Sequence, residues 1–386
     1  MNSPAPPDSG ALSDLLKREA TRLGFDLVGI APAVAPPGYE QYQRWLSKGY
    51  AAGMGYLERL EAARSHPRHV MDGVRSIVVV GFVYGGPDLG QEGPTTGKVA
   101  RYARGQDYHK LLWDRLGELL NWLQGECPGL LGRAVSDTSP LPERDFGRLA
   151  GLGWIGKNTM LISRKVGSFT LLGALLVDAE LPPDPPMEAN HCGTCTRCLD
   201  ACPTDAFARP YELDARRCIS YWTIEHKGPI PDEVAGNLHG WAFGCDICQE
   251  VCPWNRKAPK GREPALSARP EWDHPDLLTW LIEEPATLSK RLKGTALSRT
   301  KRSGLVRNAA LILGTRRELS AVPALIDCLC DDDSTVRGAS AWALGQIGND
   351  AAALALRAAS DDPDPSVVDA VARALGRIGD DRNDTS

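Results

Sequence analysis

The spacing of its cysteines constrains this chain more than any other feature. Eight of the eleven fall between Cys192 and Cys252. The first run reads Cys192-x2-Cys195-x2-Cys198-x3-Cys202 and is followed by Pro203. The second reads Cys245-x2-Cys248-x3-Cys252 and is followed by Pro253. Thiolates at this spacing wrap 4Fe-4S cubanes: three sulfurs of one run hold three irons, and the fourth cysteine reaches the other cluster. A second run on the same plan would begin at position 242, where the chain has Ala242, and Cys218 is the available replacement. The pattern reads as one cluster on Cys192, Cys195, Cys198 and Cys252, and a second on Cys202, Cys218, Cys245 and Cys248. Zinc also takes four thiolates, but usually as two CxxC pairs, and two interleaved runs ending in Cys-Pro fit it poorly. A chain built this way moves electrons.

At 386 residues the chain is too long to be only a cluster module and suggests two or three domains. Its apolar content of 42% and charged content of 24% are those of an ordinary globular protein. No apolar run is long enough to span a bilayer. The Pro- and Ser-rich start, Met1 to Gly10, lacks the basic and apolar regions of an export signal. Oxygen-sensitive clusters and many unpaired thiols then lead to the expectation of a cytoplasmic protein. The remaining thiols, Cys127, Cys328 and Cys330, read as small buried or half-buried side chains.

Local patterns divide the chain. Leu12, Leu15, Leu16 and Ala20 keep helical spacing and Gly24 ends the helix; residues 25–30 read as extended. Residues 76–83 (SIVVVGFV) and 169–177 read as buried strands. Leu111 to Leu123 is a helix with a leucine and tryptophan stripe that suits a core. Strands alternating with helices make the first 182 residues an α/β or α+β domain. Prolines 182, 183, 185 and 186 lead into a two-cluster, ferredoxin-like module over 183–256.

Residues 257–386 form the third segment, and they repeat. Residues 335–348 (TVRGASAWALGQIG) and 366–379 (SVVDAVARALGRIG) align at an offset of 31, and 305–314 (LVRNAALILG) fits the same offset at its Leu-Gly end. A small-residue helix ending in Leu-Gly, followed by an acidic turn, is a HEAT-type solenoid unit. The predicted architecture is therefore multidomain α+β with an all-α repeat C-terminus. Between Ser289 and Arg307 there are seven basic residues and no acidic one: Lys290, Arg291, Lys293, Arg299, Lys301, Arg302 and Arg307. This stripe reads either as a solvated helix face or as a contact for nucleic-acid phosphates. The net charge of −5 argues against indiscriminate nucleic-acid coating.

Clusters pass single electrons, so the N-terminal domain must supply whatever meets the substrate. Gly151-Leu-Gly153-Trp-Ile-Gly156 satisfies GxGxxG literally. A dinucleotide site needs a strand before that turn and a helix after it, whereas residues 142–150 look helical. A close-packing turn that admits a large planar cofactor is the better use of these glycines. Asp107-Tyr108-His109 begins the Asp-x-His-x-x-Gly mark of histidine-ligated cobalamin, but Leu112 stands at the glycine position. A corrinoid here would bind without that histidine.

Together, residues 101–109 (RYARGQDYH), Asp137 with Glu143-Arg144, residues 150–158 (AGLGWIGKN), the Cys192 run, residues 218–225 (CISYWTIE) and residues 244–255 (GCDICQEVCPWN) resemble the epoxyqueuosine reductase family over roughly residues 10–260. The terminal repeats resemble the HEAT-like extension of many members. The resemblance implies a cobalamin and iron–sulfur enzyme that reduces the epoxide of the modified wobble base of tRNA to give queuosine, akin in mechanism to reductive dehalogenases. It implies an N-terminal cobalamin-binding domain, two 4Fe-4S clusters, a low-potential electron donor and a monomer that binds the anticodon stem-loop. By the same resemblance Asp137 is the proton donor. From its own surroundings Asp137 reads as an Asx-turn or helix cap. Arg59, Ala100, Asp137, Lys157, Asn158, Ser220, Cys245 and Asp246 are implied around the corrin. Alanine at position 100 departs from the serine or cysteine usual in the family, and Arg59 reads equally well as a surface helix residue.

Two other readings stay open on sequence. One is a corrinoid dehalogenase of a small molecule; the missing export signal and the basic stripe oppose it. The other is an electron-transfer adaptor on a HEAT scaffold, for which the N-terminal half would have no need of Asp137.

Overall fold

The computed structural model describes residues 9–86 and 90–383; Met1 to Asp8, on which most of the export-signal reading rests, lie outside them. Among the described residues no helix is long and apolar enough to cross a membrane. The chain packs as two units. Unit 1 comprises Met1–Gly86, Asp107–Arg216 and Ile247–Ser267, and unit 2 comprises Pro87–Gln106, Arg217–Asp246 and Ala268–Ser386. Neither is continuous in sequence, and each draws on more than one of the three segments read from the sequence.

Unit 1 is built on a four-stranded sheet of β1 (Leu27–Pro32), β2 (Ser76–Val83), β3 (Gly132–Val135) and β4 (Thr170–Val177), in the order β1-β2-β4-β3. Every pairing is antiparallel, with Leu27 opposite Gly81, Ser76 opposite Val177 and Gly132 opposite Val177. The unit is therefore α+β, which corrects the α/β alternative. All eight residues of β2 are buried, because helices cover both faces. Ile77, Val79 and Val83 share one core with Phe146 and Ala150, in and after α3 (Glu143–Leu149). On the other face α2 (Tyr108–Glu126) turns Leu112, Leu116, Leu119 and Leu123 inward. Gly173 and Gly132 let it approach: a Cβ at Gly173 would lie 3.0 Å from the Leu116 side chain, and one at Gly132 only 2.5 Å from Leu120. α1 (Ser9–Arg22) buries Leu12, Leu16 and Ala20, and Gly24, at φ +97°, ends this segment as the sequence reading expected. Trp113 departs from the expected stripe. It is 46% exposed, on the outer side of α2.

The GxGxxG turn follows α3 and opens into a two-residue hairpin, Trp154–Ile155 against Leu161–Ile162, so it is no dinucleotide site. Two of its glycines admit neighbouring backbone, and a Cβ at Gly156 would meet the Ile162 side chain at 2.4 Å. A Cβ at Gly153 would sit 2.3 Å from the Ile162 carbonyl oxygen, and one at Gly151 2.7 Å from that of Pro185.

Unit 2 contains the repeats. The helices α4 (Lys301–Thr315), α5 (Ser334–Ile347) and α6 (Pro365–Asn383) carry the three Leu-Gly repeats. The period of 31 has a steric basis. A Cβ at Gly314 would lie 2.6 Å from the Cα of Ala343, and a Cβ at Gly345 would lie 2.7 Å from the Cα of Ala374. Each glycine thus receives the alanine of the next repeat. Gly348 closes α5 in the left-handed conformation at φ +72°. Of the three spare thiols, Cys328 is buried and Cys127 half-buried as expected, but Cys330 is exposed.

The glycine contacts make opposite predictions at equivalent repeat positions. Gly345→Ala forces backbone apart and should destabilise by about 1–3 kcal/mol. Gly376, with open space around it, should gain about 0.5–1 kcal/mol from Gly376→Ala. Chemical denaturation of the two variants, followed by circular dichroism, checks the pair.

Candidate active site

Asp137 stands just past β3, where the strand ends at Val135 and the buried Ser136 donates its hydroxyl hydrogen to the Leu172 carbonyl. Its φ is +52°, a left-handed conformation that Asp tolerates better than most residues. The conformation aims its amide at the Glu143 carboxyl, which accepts the N–H at 2.8 Å. The Asp137 side chain is 57% exposed, and its Oδ2 lies 3.1 Å from Nε2 of His109. The other ring nitrogen, Nδ1, is 2.7 Å from Oδ1 of Asp107. Asp107 also caps α2 by accepting the His109 N–H.

The electrostatics of this chain follow from who faces whom. Burial would lower the His109 pKa, but the hydrogen bonds to Asp107 and Asp137 outweigh it and raise it from 6.5 to about 9. Burial pushes Glu143 up to about 8, with the Asp137 charge adding to the rise. At neutral pH His109 is therefore an imidazolium between two carboxylates, and Glu143 is neutral. In the structure the proton is stored on the histidine, one hydrogen bond from a solvent-facing Asp137. His109 has both ring nitrogens engaged, so it is not poised as a metal ligand. Asp107, His109 and Glu143 were not assigned as site residues from the sequence; the Asp-x-His pair at a helix start was the available signal.

Elsewhere in unit 1 the cysteines of the first predicted cluster come together. Burial pushes the Cys198 thiol up to about 11, and the nearby Cys192, Cys252 and Cys195 add to the rise. Burial also raises Cys252, with Cys192 and Cys195 contributing. Cys252 and Cys192 pack with Trp154, Ile162, Met187 and Trp254, and the Trp154 and Trp254 rings meet edge-on at 5.0 Å. The indole N–H of Trp154 is buried without a partner, a donor suited to a cluster sulfur. Neighbouring buried thiols beside an orphaned donor fit an iron–sulfur cluster, whose metal would favour the thiolate form that burial opposes.

Neighbouring polar groups hold the cysteine loops. Lys157, exposed only in part, donates to the Gly193 and Cys195 carbonyls at 2.8 and 2.9 Å, and Asn158 donates to the Cys248 carbonyl at 3.3 Å. Asn255, just after Cys-Pro, donates to the Gln249 carbonyl and to the Ser168 hydroxyl, while its own carbonyl accepts the Ser168 N–H at 2.7 Å. The second cysteine run is thus tied to the segment that leads into β4. Gly167 has no room for a side chain, since a Cβ there would lie 2.1 Å from Asn255.

Of the other expected site residues, Cys202 and Cys248 lie in unit 1 and Cys218 and Cys245 in unit 2. Within unit 2 Ala100 is buried, Ser220 is half-buried, and the buried Asp246 accepts the Arg101 N–H at 2.7 Å. Arg59 is exposed at the end of the short helix Gly55–Arg59. The basic stripe is not uniform. Arg291 pairs with Glu283, Arg299 with Glu225 and Arg302 with Asp331. Arg307 is 1% exposed, so it cannot reach a phosphate, and its place in the stripe is corrected. Lys290, Lys293 and Lys301 are exposed.

Neighbouring buried thiols and a proton-holding imidazole in one unit suit an iron–sulfur oxidoreductase, and that is the class the comparisons define. Residues 191–255 match the 4Fe-4S double cluster binding domain, residues 64–138 match epoxyqueuosine reductase QueG, and residues 296–376 match HEAT repeats. The chain is 40% identical to the epoxyqueuosine reductase of Pseudomonas aeruginosa over 325 residues, covering 83% of this chain and 90% of the relative. It is 36% identical to that of Salmonella typhimurium, over 88% and 90% of the two chains. The chain belongs to the epoxyqueuosine reductase family. Among solved structures, an epoxyqueuosine reductase with an epoxyqueuosine-modified tRNA-Tyr stem loop superposes with a TM-score of 0.90 at 29% identity, over 96% of this chain and 99% of that one. The Bacillus subtilis enzyme, with its catalytic aspartate loop swung out of the active site, gives 0.86 at 28% identity, over 95% and 99%.

Replacing Asp107 with Asn should lower the His109 pKa from about 9 toward 6.5, read by NMR titration of the imidazole. A histidine raised on folding stabilises fully below 6.5, and that contribution is lost as pH rises through about 9. The wild type should therefore lose stability across this window, and Asp107→Asn should lose much of the dependence.

Proposed function

We propose that this protein reduces epoxyqueuosine at the wobble position of tRNA to queuosine, using two 4Fe-4S clusters and cobalamin. The observation that carries the reading is the near full-length likeness to an epoxyqueuosine reductase with its modified tRNA stem loop. The cluster ligands are Cys192, Cys195, Cys198 and Cys252 for one, and Cys202, Cys218, Cys245 and Cys248 for the other.

Opening the epoxide to an alkene with loss of its oxygen as water takes two electrons and two protons. Cobalamin, when bound, supplies a reduced metal that accepts single electrons and acts on the substrate carbon. The residues that would hold it are Arg59, Lys157 and Asn158 of unit 1 and Ala100, Ser220, Cys245 and Asp246 of unit 2, of which Asn158, Ser220 and Asp246 carry hydrogen-bonding groups and Lys157 a charge. No histidine of the Asp-x-His pair is spare to ligate the metal. The protein's own part is proton delivery. Asp137 faces solvent where a splayed anticodon base can reach it and relays to the departing oxygen the proton that His109 holds on Nε2. Asp107 on Nδ1 fixes the ring and stabilises its charged form, and His109 is reprotonated from solvent to supply the second proton. Neutral Glu143 fixes the Asp137 backbone without adding a third negative charge. The exposed Lys290, Lys293 and Lys301 contact tRNA phosphates, together with the parts of Arg291, Arg299 and Arg302 that their ion pairs leave available. The protein works in the cytoplasm as a monomer supplied by a low-potential electron donor.

Anaerobic turnover of epoxyqueuosine-containing tRNA with a low-potential reductant tests the chemistry. Conversion should require added cobalamin and should fall by about 10²–10⁴-fold in Asp137→Asn; full activity in that variant would remove Asp137 from the mechanism. For the RNA contacts, replacing Lys290, Lys293 and Lys301 together with Gln should weaken tRNA binding and flatten its salt dependence by about one unit of slope per lost phosphate contact. Filter binding over a salt series measures both.

A further inference from the structure

Arg307 and Asn308 leave the basic stripe with no role in RNA binding, and their surroundings give them another. Both are buried in the middle of α4. The Arg307 guanidinium donates to the carbonyls of Trp222 (2.9 Å), His226 (3.0 Å) and Gly228 (2.9 Å), and to Oδ1 of Asn308. No carboxylate hydrogen-bonds to it among the described residues. Asn308 in turn donates to the carbonyls of Thr223 (3.0 Å) and Ala242 (2.8 Å). These acceptors lie on two segments only: the π-helical turn Tyr221–Glu225 with the residues just after it, and the strand Trp241–Phe243.

Those segments flank two cluster ligands. Cys218 enters the π turn, its carbonyl accepting the Trp222 N–H at 3.3 Å, and the strand runs directly into Cys245. Thr223, fully buried, joins them. Its hydroxyl donates to the Ile219 carbonyl at 2.8 Å and accepts the Gly244 N–H at 2.9 Å. The residue after Cys218 and the residue before Cys245 are therefore held by one side chain, and that side chain's carbonyl is held by α4. A buried cation surrounded by carbonyls is costly unless an anion lies near; Asp333 acts on it as one, and a four-thiolate cluster on Cys218 and Cys245 would be a second.

We propose that Arg307 and Asn308, through Thr223, are positioning residues for the cluster ligands Cys218 and Cys245, and that Arg307 supplies that cluster with a compensating positive charge. The inference rests on the assignment of Cys218 and Cys245 as ligands. The first repeat helix then serves the redox centre as well as any surface.

The test uses the full chain reconstituted anaerobically, with iron and sulfide analysis and an EPR-monitored redox titration. Wild type should hold about eight irons; about four or none would defeat the two-cluster assignment itself. With eight present, Arg307→Met should either lose about four irons or lower the potential of one cluster while leaving the other unmoved, because removing a cation disfavours the reduced, more negative state. Arg307→Lys, which keeps the charge, should restore most of the potential. Thr223→Val leaves the charge and cuts only the tie, and should release one cluster to a chelator about ten-fold faster. If Arg307→Met fails to fold, Arg307→Lys and Thr223→Val decide. Eight irons, two unshifted potentials and wild-type chelator rates in the variants would overturn the proposal.

Discussion

Holding cysteine loops in one buried corner is the constraint on which the rest of unit 1 depends. Cys198 is pushed to about 11 by burial and its neighbouring cysteines, so the corner resists the thiolate form that iron–sulfur ligation needs. Hydrogen bonds that leave the thiols alone hold it: Lys157 on the carbonyls of Gly193 and Cys195, Asn158 on that of Cys248, and Asn255 on Ser168 and Gln249. A hydrogen bond from a charged donor such as Lys157 is worth about 1.5–3 kcal/mol and one from a neutral amide such as Asn158 or Asn255 about 0.5–1.5 kcal/mol, together enough to fix loops that carry no helix or strand of useful length. The ligand loops are therefore ordered by the sheet domain beneath them, with Ser168 leading into β4 and Gly167 giving Asn255 its space.

The acid site is organised by the opposite arrangement of charge. There a single cation, His109, is shared by two carboxylates, and the third carboxyl, Glu143, is kept neutral by burial. A proton held near pH 9 on an imidazole is abundant at neutral pH. A carboxylate hydrogen-bonded to it can be reprotonated without waiting for a hydronium ion. The left-handed backbone of Asp137 belongs to the same economy, since it sends the amide to Glu143 and the side chain to His109.

The 4Fe-4S domain was legible because its motif is local: three or four thiolates at fixed offsets are demanded by the cubane itself, and residues 191–255 match such a domain. The repeat was legible because a shared steric need recurs, the Leu-Gly that admits the following alanine. Other features depend on which distant segment arrives. Residues 76–83 were read as a buried strand, but a run apolar on both faces does not say whether its neighbours run parallel or antiparallel, and they run antiparallel. His109 was read against a metal-ligand pattern because its partner Asp137 lies 28 residues away. Trp113 was read as core because helical spacing marks a face without fixing the width of what covers it. Arg307 looked like its six basic neighbours; nothing in a charge run tells an arginine that reaches solvent from one that turns inward to backbone carbonyls.

That difference in fate changes what a repeat helix is for. A solenoid of small residues is rigid because its backbones touch: Ala343 and Ala374 lie where no side chain fits on Gly314 or Gly345. A rigid stack is a good anchor for something that must not move. α4 uses one face to receive α5 and Arg307 with Asn308 to grip the carbonyls around Trp222, Thr223 and Ala242. Ala242 stands where a regular cysteine run would place its first ligand, and in the structure that position is the buried middle residue of a strand whose carbonyl α4 holds. The position serves strand packing, and on the proposed assignment the missing thiol comes from Cys218 at the head of the π turn. The displaced ligand and the helix that steadies it would then be two parts of one solution, in which the chain gives up a local motif and secures the same ligation through tertiary structure.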